Sequence, residues 1–343
     1  MQTSSLLEFS KEELKELIVN DFNEKSYRAR QLLNWLYKSN KNEIKDFSNL
    51  PESFKENLQK KFKIYSLKLI AKEISNQDAT VRYDFETSDN YKFSCVYIPK
   101  QKRNVVCVST QIGCSIGCIF CASAKVNFKR NLTSSEIVEQ VLRVKKDIGE
   151  INGVLFMGMG EPLLNYENLV KSIKILLDPD MFFLSKRRIT VSTVGIVANI
   201  YKLAQENLKV KLAISLHSPN DAKRKKFIKN LNFSVKEILK AGIFYAEKTE
   251  TKLTIEYVLL KDENDSVQDA LELVHILKSQ TKNINIFKIN LIPYNPHNTG
   301  SFLSPLDEKV KIFKDTLIRS GFLTFIRKPH GQDIKAACGQ LGF

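Results

Sequence analysis

From residue 103 onward the sequence alternates between two hydrophobic periods, and this alternation limits the fold more than any other feature. Short apolar runs at 105–110, 153–158, 189–194, 210–216, 253–259, 284–291 and 323–327 read as strands. Between them, apolar residues three and four apart read as helices at 134–146, 166–177, 197–206, 235–247, 266–280 and 306–320. Strands that alternate with helices of this length require a parallel sheet with crossover helices. The expected fold class is therefore α/β, a partial (β/α) barrel whose working loops follow the C-terminal ends of the strands. No internal repeat or low-complexity linker interrupts the pattern.

The first 70 residues differ. Segments 11–20, 26–38 and 51–62 carry helical spacing, with Ser10 and Ser26 as N-cap candidates, and the set is dense in Lys and Arg. They read as a small helical accessory domain. Residues 71–102 change to strand period at 80–85 and 91–98, with Ser88-Asp89-Asn90 as the turn. The expected division is thus 1–70, 71–102 and 103–343. No apolar run approaches the ~18 residues of a membrane span. The start, Met1-Gln2-Thr3-Ser4-Ser5, lacks the basic flank and apolar core of a signal peptide. The expectation is a cytoplasmic chain without a membrane partner, in a compartment where disulfides do not persist. Against 38 acidic residues stand 53 Lys and Arg, a formal charge of +15. Such a field favours a polyanion, nucleic acid foremost, although a lysine-rich proteome would produce the same bias.

Six cysteines are present, and three fall as Cys114-x3-Cys118-x2-Cys121 in the loop after the first parallel strand. Structural zinc needs four ligands, usually as two pairs, and no second pair follows. Three thiolates on a glycine-containing loop suit a [4Fe–4S] cluster with one iron left open, whereas ordinary ferredoxins supply four. The spacing is that of the radical S-adenosylmethionine (SAM) superfamily, and Phe120 before Cys121 fits it. Polar groups follow later strands: Gly158-Met159-Gly160-Glu161-Pro162, Ser192, Ser215-Leu216-His217 and Asn295. Each alone is an ordinary turn or cap. Together, on successive loops facing the cysteines, they form a candidate SAM site of Gly160, Glu161, Ser192, Ser215, Leu216, His217 and Asn295. Cys107 lies seven residues before the cysteine loop, and Cys338 lies near the end of the sequence beside small residues that would let the segment swing.

These motifs together resemble the RlmN/Cfr family of radical-SAM RNA methyltransferases over nearly the whole chain. The resemblance runs through Tyr27-Arg28-Ala29-Arg30-Gln31 with Trp35-Leu36-Tyr37, Cys107-Val108-Ser109-Thr110-Gln111-Ile112-Gly113-Cys114, Lys129-Arg130-Asn131-Leu132-Thr133, Gly158–Pro162, Ser215-Leu216-His217 with Pro219-Asn220-Asp221, and Ala336-Ala337-Cys338-Gly339-Gln340. It implies methylation of adenosine at carbon-2 in 23S ribosomal RNA and, in dual-specificity members, in tRNA. Carbon-2 has no acidic proton and is electron-poor, so direct attack on SAM fails. The resemblance therefore implies that Cys338 takes a methyl group from one SAM and that a second SAM on the Cys114, Cys118, Cys121 cluster yields a radical that activates this methyl. Cys107 would then attack the Cys338 sulfur, forming a transient disulfide that reduction resets. An electron donor of flavodoxin or ferredoxin type and a monomeric enzyme are expected.

Two positions depart from the family pattern. Its glutamate thirteen residues before the resolving cysteine, read as the proton acceptor, is Ser94 here, with Glu86 as an upstream carboxylate. His330 stands where a basic residue is expected before Gly331. Carbon-8 methylation, as in Cfr, and an RNA-binding member impaired by Ser94 are the alternatives. Expected RNA contacts are Arg28, Arg30, Lys129, Arg130, Lys186, Arg187, Arg188 and residues 223–226, with Arg130 foremost because it follows the cysteine loop.

Overall fold

The structure, a computed structural model, describes residues 4–39, 41–100, 103–297 and 300–342. Three helices, α1 (Lys11–Asn20), α2 (Tyr27–Leu33) and α3 (Glu52–Lys61), pack around Leu14, Ile18, Leu32, Phe47, Phe54 and Leu58. Ser10 caps α1 reciprocally with Glu13: its Oγ accepts from Glu13 N (3.2 Å) and Glu13 accepts from Ser10 N (2.7 Å). Ser26 makes no such bond, and α2 widens after Leu33 into a π turn, Asn34–Lys38. The single helix expected over 26–38 is therefore two pieces. Trp35 leaves the helical register there to stack on Phe47, with centroids 5.2 Å apart.

Ten strands form one sheet: β1 (Lys68–Ile74), β2 (Val81–Glu86), β3 (Lys92–Lys100), β4 (Arg103–Val108), β5 (Gly153–Phe156), β6 (Ile189–Thr193), β7 (Lys211–Ser215), β8 (Leu253–Leu259), β9 (Phe287–Pro293) and β10 (Leu323–Ile326). Their order in space is their order in the chain. From β1 to β4 the pairs are antiparallel; from β4 to β10 they are parallel. Edge strands β1 and β10 are not neighbours, so the parallel part is a barrel left open. Crossovers run through α4 (Ser134–Ile148), α5 (Tyr166–Leu177), α6 (Val197–Gln205), α7 (Asp221–Phe227) with α8 (Val235–Thr249), α9 (Val267–Gln280) and α10 (Asp307–Arg319). The expected α/β fold with a partial barrel and a small helical N-terminal part is thus found. Strand β1 and helix α7 were not expected. The former is a mostly exposed edge strand without alternation, and the latter is two turns of mostly charged residues. The expected boundary at 102/103 falls beside residues 101 and 102, which lie outside the described residues.

A buried carboxylate fastens the N-terminal part to the barrel. Glu139 on α4 is fully buried and accepts from Ser66 N (2.6 Å), Ser66 Oγ (3.0 Å), Leu67 N (3.0 Å) and Arg143 Nε (3.2 Å). Glu8 adds a second tie by accepting from Ser134 Oγ and Ser135 N at the start of α4. Among the described residues no helix is long and apolar enough to cross a membrane. Replacing Glu139 with Ala strands four donors, so Glu139→Ala is expected to lower unfolding free energy by about 3 kcal/mol. A urea midpoint within error of the parent's would contradict this role.

Candidate active site

The loop after β4 is folded back on itself by backbone bonds before any ligand is considered. Cys114 N donates to Val126 O (3.3 Å), Cys121 N to Cys118 O (3.1 Å), and Ile119 N to Phe227 O at the end of α7 (3.0 Å). Gly113 has φ +72°, and a Cβ there would lie 2.4 Å from Asn127 O, so no other residue fits. The result is that Cys114, Cys118 and Cys121 line one cavity of about 160 Å³ above the C-terminal ends of the strands. Burial raises all three thiols, Cys114 to about 12, and repulsion adds to the rise, from one another at Cys114 and Cys118 and from Cys338 at Cys121. They become thiolates together only beside strong positive charge. Among the described residues no three His, Cys, Asp or Glu side chains close on a single metal ion. A soft thiolate triad facing a shared space therefore fits a body wider than one ion.

The same cavity receives Gly160, Glu161, Ser192, Ser215, His217 and Asn295. Gly160 has φ +97°, and a Cβ would meet the Gln111 side chain at 2.5 Å. Glu161 is buried; its carboxylate accepts from Leu163 N (3.0 Å) and Val194 N (2.9 Å), and burial pushes it up to about 7. It ties the β5 loop to the β6 loop. Ser192 and Ser215 face each other at 3.3 Å. His217 accepts from Val258 N through Nδ1 (3.0 Å), which leaves its proton on Nε2, and burial pulls its pKa down to about 3. The ring is a neutral donor packed edge-on against Phe120. Leu216 differs: its side chain is fully buried in the core and is not among those lining the cavity.

Cys338 lies at the meeting point of two spaces. It lines the cavity of the three cysteines and also an adjoining chamber lined by Cys107, Met157, Arg327 and His330. Cys338 is exposed; Cys107 is buried in β4, its thiol pushed up to about 12 by burial and by Cys338 while Arg327 opposes the rise. The tail does not hang free. Asn295 Nδ2 donates to Cys338 O (3.0 Å) and its Oδ1 accepts from Gln332 (2.8 Å); Ala122 N donates to Gly339 O (2.7 Å). Asp333 accepts from Ser75 Oγ and Asn76 N, while Asp78 holds His330 and Gly331 N. A loose segment, as expected from its small residues, is instead a strap pinned to the β1–β2 turn and to the cysteine loop.

Several expectations are corrected by position. Ser94 is fully buried, lines neither space, and donates to Asp84 Oδ1 (2.6 Å). The carboxylate beside it is Asp84, its cross-strand partner, bound in turn by Arg82 Nε (2.8 Å), whereas Glu86 pairs with Lys92 in the sheet and with Lys68 in charge. Arg130 is clamped by Asp89 and Glu136, with paired N–O distances of 2.7–2.8 Å, which holds the β4 loop rather than a free phosphate-binding charge. Arg224 is buried, and donates to the carbonyls of Leu216, Val194 and Ser215 at the strand ends. The inward residues Glu256 and Arg327, 3.4 Å apart, were not anticipated. Burial works against the Arg327 charge, but Glu256, Cys338 and Cys107 more than offset it and its pKa rises. An Arg after a strand and a Glu inside one carry no local signal, and only the register brings them together.

The chain matches the model of the radical SAM superfamily over residues 108–274 and that of the ribosomal RNA large subunit methyltransferase N-terminal domain over residues 4–64. It is 44% identical over 322 residues to a probable dual-specificity RNA methyltransferase RlmN of Endomicrobium trichonymphae, covering 93% of this chain and 92% of that one. It is 43% identical over 339 residues to the protein of the same description from Thermotoga petrophila, covering 98% and 97%. The crystal structure of a radical SAM methyltransferase from Sphaerobacter thermophilus superposes with a TM-score of 0.93 at 34% identity, covering 98% of this chain and 99% of that one.

Loss of the amide that holds the Cys338 carbonyl frees the strap. Asn295→Ala should weaken closure by about 1 kcal/mol, speeding deuterium labelling of the backbone amides around Cys338 roughly fivefold. Unchanged labelling by peptide mass spectrometry would mean that the amide does not restrain this segment.

Proposed function

We propose, for a chain that belongs to the RlmN family of radical SAM methyltransferases, methyl transfer to carbon-2 of an adenosine in 23S ribosomal RNA and in tRNA. The observation that carries this reading is the place of Cys338, shared by the cavity of three cysteines and the chamber of Cys107. A methyl carrier must meet a radical source on one side and a resolving thiol on the other.

In this reading Cys114, Cys118 and Cys121 would hold a [4Fe–4S] cluster. Gly160, Glu161, Ser192, Ser215, His217 and Asn295 surround SAM, with the Leu216 side chain left to the core. When bound, cluster and cofactor supply the methyl group and, after one-electron reduction by a flavodoxin- or ferredoxin-type donor, a hydrogen-abstracting carbon radical. His217 offers a donor rather than a base, because burial keeps it neutral. Asn295 orients the strap so that the Cys338 sulfur stands between the two spaces. The Arg327 guanidinium favours the thiolate form of Cys107. Carbon–carbon bond formation at carbon-2 would release the hydrogen there as a proton to solvent and return one electron to the one-electron carrier; the Cys107 thiolate then bonds to the Cys338 sulfur. The electron pair of the breaking sulfur–carbon bond leaves with the base-bound methylene, which takes up a proton. Two-electron reduction restores both thiols. Ser94 receives no proton-transfer role, since its hydroxyl is committed to Asp84. The chain acts in the cytoplasm as a monomer.

Anaerobic reconstitution with iron, sulfide, SAM, reductant and RNA, followed by nucleoside mass spectrometry, should yield 2-methyladenosine; 8-methyladenosine or an unmodified digest would overturn the assignment. Cys107→Ala should accumulate a covalent protein–RNA adduct as a shifted band on a denaturing gel. A second outcome concerns pH. With its pKa near 12, Cys107 is a thiol across the neutral range and its thiolate fraction rises about tenfold per unit. Single-turnover release of RNA should therefore accelerate from pH 6.5 to 9, and a flat profile would show that resolution does not await this ionisation.

A further inference from the structure

The opposite end of the barrel carries a second large space, of about 380 Å³. It opens among the N-terminal ends of the parallel strands, a face that in barrels of this kind ordinarily serves stability rather than function. Its lining is unusual for such a face. Lys100, Arg103, Arg187, Arg188, Lys211 and Lys288 all border it, and Glu256 is the one carboxylate among the lining residues. None of these six cations has an ion-pair partner among the described residues, whereas Arg130, Arg143 and Lys223 elsewhere all have one. Arg188 Nη1 is buried without a hydrogen-bond partner. Burial lowers Lys100, Lys211 and Lys288; neighbouring cations, Arg103 and Lys288 among them, lower the first two further, while Glu256 works against the fall at Lys288. The fold has assembled mutually repelling charge around a space, and Glu256 offsets it only in part.

The geometry points to this mouth as the entry for the RNA strand, with the six cations binding the phosphodiester groups that flank the target adenosine. This deepens the proposed function and rests on it. Two features favour a chain of phosphates over a single small anion. First, the cations are spread from β3 to β9; neighbouring strands lie about 4.8 Å apart, so the arc spans roughly 29 Å, more than one phosphate needs. Second, the mouth leads directly to the reacting thiols: Leu155, Met157, Arg327, Lys328 and His330 line both it and the chamber of Cys107 and Cys338. The cofactor would then occupy one end of the barrel and the nucleotide would arrive from the other, meeting at Cys338. An expectation read from sequence is refined thereby. Arg187 and Arg188 remain RNA contacts, while Arg130 and Arg224 do not.

The test is RNA binding by the full reconstituted chain, measured against potassium chloride concentration, with a 23S ribosomal RNA fragment and an intact tRNA as probes. Lys211→Gln/Lys288→Gln should bind either RNA roughly tenfold more weakly at moderate salt, and the slope of log K against log salt should shrink by about 1.4, the value for two single-strand phosphate contacts. A charge-matched pair on the outer face of α8, Lys236→Gln/Lys240→Gln, should stay near the parent. SAM cleavage without RNA should be unchanged in both, which shows an intact barrel. Equal losses in the two variants, or an unchanged slope in the first, would overturn the inference. A competition titration with inorganic phosphate separates the sources: binding of phosphate at the mouth with RNA affinity untouched by the double substitution would make it a small-anion site and also overturn it. Failure of the parent to bind any RNA would instead bring down the functional reading itself.

Discussion

Three thiols gathered in a half-buried cavity cannot all be anions without compensation, and much of the structure follows from that constraint. Burial drives Cys114, Cys118 and Cys121 toward their protonated forms. The free energy to hold them together must come from elsewhere. It comes from the loop's own backbone bonds and from Arg224, which gathers three strand-end carbonyls and brings a positive charge toward Cys118. Glu161 does similar work with two backbone amides, joining the loops of β5 and β6. The site is therefore preorganised by contacts to the main chain, and its three thiols remain available for a ligand.

The barrel interior is graded along its axis. At the C-terminal ends of the strands stand thiols, hydroxyls and a neutral imidazole. In the middle the Glu256 carboxylate accepts from Asn290 at 2.8 Å and faces Arg327. At the N-terminal ends the lining is cationic. Open barrels lack the packed layers of side chains that fill closed ones, and this gradient occupies the space instead. Arg327 belongs to all three spaces, so a change at this residue would be felt by the carboxylate and by both thiols.

Sequence periodicity located the strands of the parallel sheet to within a few residues, because all but the edge strand β10 are largely buried apolar runs, each followed by an amphipathic helix. The three cysteines and the polar loop residues, Leu216 apart, line one cavity, since strand C-termini converge by topology. What escaped was whatever depends on register or on a second partner. Ser94 and Asp84 are ten residues apart in sequence and directly opposed in the sheet. Arg130 looks like a surface cation until Asp89 and Glu136 are seen to flank it. Edge strand β1 lacks alternation because neither face is covered. The strap over Cys338 was unreadable because its anchors, Ser75, Asn76 and Asp78, lie more than 250 residues away.

The sheet's spatial order has a bearing on biosynthesis. Because every strand pairs with the one made just before it, a nascent chain can extend the sheet by one strand at a time as it leaves the ribosome, never waiting for a distant partner. The cysteine loop emerges early, while the wall that will shelter it is still absent, and the tail that closes over it is translated last. The cavity of the three thiols is thus open for an interval between synthesis of Cys121 and arrival of the segment around Cys338, and a chain stalled within that interval would keep these thiols open to solvent and to oxidants alike.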